Sequence, residues 1–94
     1  MTEVRLTGRL ICATPDEAAR VRSALPAHIA LTRAEPGCLF FEVTPTENPL
    51  IWAVSERFAD SAAFEAHQAR ADASVWAAQT TSIARDDTVT GLPE

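Results

Sequence analysis

Tyrosine and lysine are both missing from this 94-residue chain, and glycine, cysteine and histidine number only three, two and two. Each shortage removes a class of chemistry. Three scattered glycines make no glycine-rich loop to cradle phosphate, which sets aside phosphoryl and nucleotide chemistry. The two histidines stand far apart, with no HxH or HxxxH spacing and no clustered carboxylates beside them, so no metal is expected. Cys12 and Cys38 lack CxxC spacing and sit in strand-like runs, where they read as buried reduced thiols. No serine or cysteine lies in a recognisable nucleophile motif. No apolar run approaches the ~18 residues of a membrane span. The opening "MTEVRLTGRL" places charges where a signal peptide needs an apolar segment, so a cytoplasmic location is expected. All eight basic residues are arginine, which by itself carries no mechanistic weight. Against 13 acidic residues they leave a net charge of −5, which disfavours nucleic acid or an anionic membrane as partner.

What is present suits one small globular domain, residues 1–94, at 47% hydrophobic and 22% charged. A chain this short buries only about 60–65% of its unfolded surface, so help from a second subunit is expected. In "EVRLTGRLIC", Val4, Leu6, Gly8, Leu10 and Cys12 alternate with polar residues, the pattern of a strand with one buried side. "TPDE" follows, a capping box of Thr14 and Glu17 with Pro15 at the first helical position. Ala18, Val21, Leu25 and Ile29 then recur at helical spacing. Pro26 inside that run predicts a kink or two abutting helices, and Leu31, out of phase, fits a change of path after it. "EPG" stops the helix.

"CLFFEV" and "LIWAVSERF", separated by the polar "TPTENP", read as a hairpin. Asp60 or Ser61 caps a helix with Ala63, Phe64 and His67 on one face. A second helical piece spans "DASVWAAQ", and "SIARDDTVTG" closes the chain as a last strand before an "LPE" tail. The order strand, helix, strand, strand, helix, strand predicts an α+β ferredoxin-like sandwich (βαββαβ). Both helices then lie on one face of a four-stranded antiparallel sheet. The hairpin carries apolar residues on both faces: Leu39, Phe41 and Val43 against Cys38 and Phe40, and Ile51 and Ala53 against Trp52 and Val54. A sheet with one wet face should alternate cleanly, so a second copy is expected to cover the other, as a homodimer packed through its sheet faces.

At "HIALTRAEPGCLFFEV", "VSERF" and "FEAHQ" the sequence resembles the antibiotic biosynthesis monooxygenase family, and within it the group named as quinol monooxygenases. The likeness runs over roughly residues 3–90. It implies a dimeric α+β barrel with a pocket between sheet and helices in each subunit. In some members it implies oxygenation of phenols or quinols without metal or flavin, so no cofactor is expected. His67 matches the histidine of the family's "EAH" segment, and the resemblance assigns it as the catalytic residue. Several positions depart from the family. Asp72 stands where many members have a second histidine. Gly8 and Ala77 replace an asparagine and an iron-ligating histidine of haem-degrading relatives, which argues against haem. The tyrosines of the polyketide-oxidising members have no counterpart, and Phe58 takes a place that is often tryptophan.

A cofactor-free oxygenase needs a substrate that can itself reduce dioxygen once deprotonated. The protein supplies a base, an apolar pocket and an orientation. Histidine suits the base, having an unperturbed pKa near 6.5. His67 shares the inward face of Phe64 and Ala63, and is either that base or a hydrogen-bonded structural histidine. Trp76, Trp52, Phe64 and Phe58 are the candidate substrate-binding aromatics, with core or interface packing the plainer role for Trp52. Glu56 either orients His67 or pairs with Arg57 or an arginine of the first strand. His28 reads as an interface or surface residue. The expected function is oxidation of a small quinol or polyphenol by dioxygen. The alternatives are a non-catalytic dimer that binds or senses a small apolar molecule, and a module that only dimerises, whose pocket its own side chains would fill.

Overall fold

The alternation in the opening segment becomes strand β1 (Val4–Ile11), with Val4, Leu6 and Leu10 buried and Arg5, Thr7 and Arg9 exposed. In the computed structural model, which describes residues 2–93, it is followed by α1 (Pro15–Arg33), β2 (Cys38–Pro45), β3 (Ile51–Phe58), α2 (Ser61–Asp72), α3 (Val75–Thr80) and β4 (Ala84–Thr90). Met1 and Glu94, the two ends of the expected domain, lie outside the described residues. The strands form one antiparallel sheet in the order β2-β3-β1-β4. This is the ferredoxin-like arrangement expected from the element order. Its inner face packs under the helices through Val4, Leu6, Leu10, Phe41, Val43, Trp52, Val54 and Phe58, which meet Val21, Leu25 and Phe64.

The caps act as their residues require. Thr14 Oγ1 accepts the Glu17 N–H at 3.2 Å, and the Glu17 carboxylate accepts the Ala13 N–H at 2.6 Å. Ser82 Oγ donates to the other Glu17 oxygen at 2.6 Å, tying the start of α1 to the turn before β4. Asp60, rather than Ser61, caps α2 by accepting the Ala63 N–H at 2.8 Å.

Four details correct the sequence reading. Helix α1 is continuous through Pro26, with no break into two helices. Pro26 and Arg22 both lie on the exposed side, where water can satisfy the Arg22 carbonyl that the missing N–H leaves free. Leu31, out of phase with the buried stripe, is exposed. The buried stripe of α1 is Ala18, Val21, Leu25, His28 and Thr32, so His28 takes the inward place expected of Ile29, which is half-buried. On β2 a register irregularity between Cys38 and Phe40 turns Leu39 outward, 53% exposed, instead of inward beside Phe41 and Val43. Cys38 is half-buried rather than buried.

Gly8 is required where it stands. A Cβ there would lie 2.1 Å from Asp87 Oδ1 and 2.6 Å from the Asp86 carbonyl oxygen, so its missing side chain makes room for Asp87 on β4. Asp87 in turn holds Arg85 Nε at 2.9 Å, at the edge of the space beneath the helices.

Candidate active site

His67 sits on α2 with Phe64 three residues before it and Ala71 four after, all buried. Phe58, the last residue of β3, stacks beneath its ring at 4.9 Å between centroids and 29° between planes. Its polar anchor comes from the turn after α1. Pro36 and Gly37 end the helix there and leave Glu35 facing α2, with the Glu35 N–H bonded to the Thr32 carbonyl at 3.0 Å. Glu35 Oε1 lies 2.8 Å from His67 Nδ1. Arg70 donates to the other Glu35 oxygen and, through its Nη2, to Thr32 Oγ1 at 2.9 Å. With Arg70 on its far oxygen, Glu35 acts as an acceptor, which puts the ring proton on Nδ1 and the lone pair on Nε2.

That lone pair faces Glu56, whose Oε1 is 3.8 Å from Nε2. The separation is too long for a hydrogen bond, so neither group satisfies the other. Glu56 pairs neither with Arg57, which binds Glu3 at 2.8 Å from the outer face, nor with an arginine of β1. It is buried on the inner face, and Oε1 has no hydrogen-bond partner among the described residues. Burial pushes its carboxyl up to about 7; Arg85 opposes the rise, while Asp87 and Glu35 add to it. Burial also lowers His67, favouring the neutral imidazole, against the pull of Glu35 towards the charged form.

Both residues line a cavity of about 280 Å³ between the sheet and helices α1, α2 and α3, with His28, Trp76, Thr80 and Arg85 among its walls. His28 stacks face to face on Trp76 at 4.6 Å and 5°, and meets the edge of Phe41 at 5.3 Å. Burial drives its pKa down to about 4, with the nearby His67, Arg70 and Arg85 pushing the same way. A more apolar hollow of about 420 Å³ lies beside α2, against Pro36, Gly37, Ala63 and Ala66. It also reaches His67 and is lined by Glu35 and Arg70, the partners of Nδ1.

Of the residues singled out from sequence, His67, Glu56 and Trp76 converge on the cavity. Phe58 and Phe64 lie behind it as an edge-to-face pair at 5.8 Å that backs the His67 ring. Trp52 is elsewhere, across from Leu10 and Pro45 on β1 and β2, and outside the cavity lining. Two site residues escaped the sequence reading. His28 was legible in principle, because 21, 25, 28 and 32 continue one helical stripe. Glu35 stands inside the "RAEPGC" segment, whose local pattern signals only a helix stop. Among the described residues, no three His, Cys, Asp or Glu side chains are grouped to hold a metal ion, and no helix is long and apolar enough to cross a membrane.

The profile of the antibiotic biosynthesis monooxygenase family matches residues 8–79. Among solved structures, Rv0793 from Mycobacterium tuberculosis is 23% identical over 98% of this chain and 96% of its own, with a TM-score of 0.77. SnoaB, a cofactor-independent oxygenase from Streptomyces nogalater, is 14% identical over 100% of this chain and 96% of its own, at 0.80. PA3566 from Pseudomonas aeruginosa is 22% identical over 96% and 95%, at 0.69. No curated protein matches the sequence. At these identities the structures attest a shared fold, and the match to the family profile covers most of the chain. The chain belongs to the antibiotic biosynthesis monooxygenase family.

Proposed function

We propose that this protein is a cofactor-independent monooxygenase that oxidises a small quinol or polyphenol with dioxygen, and that His67 is its base. The observation that carries the reading is the buried pair of His67 and Glu56, 3.8 Å apart and free of any mutual hydrogen bond, lining one cavity with Trp76. A quinol hydroxyl in the cavity beside this pair would give its proton to Nε2 while the ring lies against Trp76. The quinolate is the stronger electron donor and passes electrons to dioxygen. One oxygen atom enters the ring and the other leaves as water, so hydroquinone plus dioxygen becomes hydroxyquinone plus water. The substrate supplies the reducing electrons, and the protein supplies orientation, a dry site and a proton acceptor. The family match supports the class of reaction, as does the description of SnoaB as a cofactor-independent oxygenase.

The site would work within a homodimer in the cytoplasm, where Cys12 and Cys38, free in this structure, stay reduced. The helix-free face of the sheet carries Phe40, 37% exposed, and the paired, half-buried Ile11 and Ile51. A second copy covering that face would bury them. Light scattering at micromolar concentration tests this, and a monomer would refute it.

Oxygen uptake by metal-stripped protein with a panel of hydroquinones tests the activity. Turnover is expected from the native protein and at least a 100-fold loss from His67→Ala, with the fold intact by circular dichroism. Unchanged turnover in that variant would remove His67 from the reaction. Anaerobic binding without aerobic turnover across the panel would instead assign the chain to binding or sensing, the reading that its lack of tyrosine favours. A module that only dimerises would have filled the space beside His67, which is open.

A further inference from the structure

We infer that the cavity grips its ligand at two polar points, with His28 on α1 as the second, and so selects an aromatic ring bearing two oxygen substituents over a ring bearing one. The inference rests on the site proposed above and adds to it a residue and a ligand class. Two of the three buried side-chain polar atoms that lack a hydrogen-bond partner among the described residues, His28 Nδ1 and Glu56 Oε1, belong to residues lining this one cavity. The third, Trp52 Nε1, is outside it. His28 and Glu56 are each 5% exposed, and buried polar groups in folded proteins are almost always paired. Two cavity-lining side chains with unmet hydrogen-bonding capacity therefore mark where a ligand's polar atoms belong.

His28 is also held by aromatic contacts on its ring. Trp76 lies flat against one face of its ring and Phe41 meets it on edge. Its centroid is 6.0 Å from that of His67, whose Nε2 is 3.8 Å from Glu56 Oε1, so His28 and Glu56 flank the same imidazole on the scale of one small ring system. A cavity of about 280 Å³ sits at the bottom of the ~300–1,000 Å³ range of ligand pockets, which suits one or two fused rings.

The chemistry of the two points agrees. A neutral imidazole offers one N–H and one lone pair, and a carboxyl that titrates near neutrality can donate or accept. Such a pair can meet two hydroxyls in a quinol and two carbonyls in the corresponding quinone. A monophenol would leave one point unpaired, which a desolvated site penalises.

Anaerobic titration of the full-length protein, followed by tryptophan fluorescence or calorimetry, tests this with 1,4-naphthalenediol and 1-naphthol. The native protein is expected to bind the diol at least 10-fold more tightly. His28→Phe keeps a flat ring beside Trp76 and removes the nitrogens, so it should lose about 10-fold for the diol and change less than 3-fold for the naphthol. Equal affinities in the native protein, or binding of neither compound, would overturn the inference without any variant. Equal losses for both ligands in a folded His28→Phe would overturn it too. The outcome is separable from the oxygenase reading. A diol preference that depends on His28, without oxygen uptake, removes only the activity, whereas oxygen uptake with indifference between the ligands removes only the second contact.

Discussion

The two walls of the cavity carry the same side chain in opposite circumstances. On the α2 wall, His67 is tied through Nδ1 to Glu35 and through Glu35 to Arg70. On the α1 wall, His28 is equally buried, is fixed only by ring stacking, and has an Nδ1 with no partner among the described residues. A carboxylate on one nitrogen sets the tautomer of the other and prepares it to take a proton. A ring held only by aromatic contacts has no such bias and is left with unmet hydrogen-bonding capacity. Burial alone therefore does not tell a histidine that does chemistry from one that recognises a ligand. The partner of the ring nitrogen does.

Kinetics would break this comparison most decisively. His67→Ala is expected to lower kcat for a quinol by about 10²–10⁴-fold, the usual worth of a positioned base. His28→Phe should raise KM and leave kcat within several-fold. If both variants lower kcat alike, the two walls are not distinct.

Stability against pH sharpens it next. Glu56 is raised from 4.5 to about 7, so the native state holds an extra proton between those values and loses stability as pH climbs through them. His28 is lowered from 6.5 to about 4, so the unfolded state holds the extra proton and stability is lost as pH falls through that window. Each effect is worth at most ~3–4 kcal/mol at ~1.4 kcal/mol per pH unit. They oppose one another across the overlap, roughly pH 4.5–6.5. Denaturant titrations should show the slope with pH turning more negative in His28→Phe and more positive in Glu56→Gln, each relative to the native protein. Identical slopes in all three proteins would contradict the burial of these groups.

Glu35→Gln should lower kcat less than His67→Ala does, by about 10- to 100-fold, through a loosened His67 tautomer. Because Glu35 raises the His67 pKa, its removal should move the acid limb of the kcat/KM profile to lower pH. A lower rate with an unmoved limb would show that Glu35 merely supports the turn.

Much of the frame was legible along the chain. Thr14 and Glu17 announce the first helix, and the alternation around Val4, Leu6 and Leu10 announces a strand with one inner face. The inward turn of His67 follows from its spacing to Phe64. The errors came where a periodic pattern admits two phases. Placing Ile29 in the buried stripe pushed His28 out of it, and strict alternation through Leu39 ignored the irregularity beside it.

Glu35 escaped for a different reason, since its partner His67 lies 32 positions further along the chain. The sequence by itself determined the elements, their caps and their buried faces, because these depend on neighbours a few residues apart. Only the tertiary structure decided that Glu35, Glu56 and His28 surround one imidazole. That arrangement comes from packing α1 and α2 over the same sheet, and no local spacing encodes a contact made across the fold.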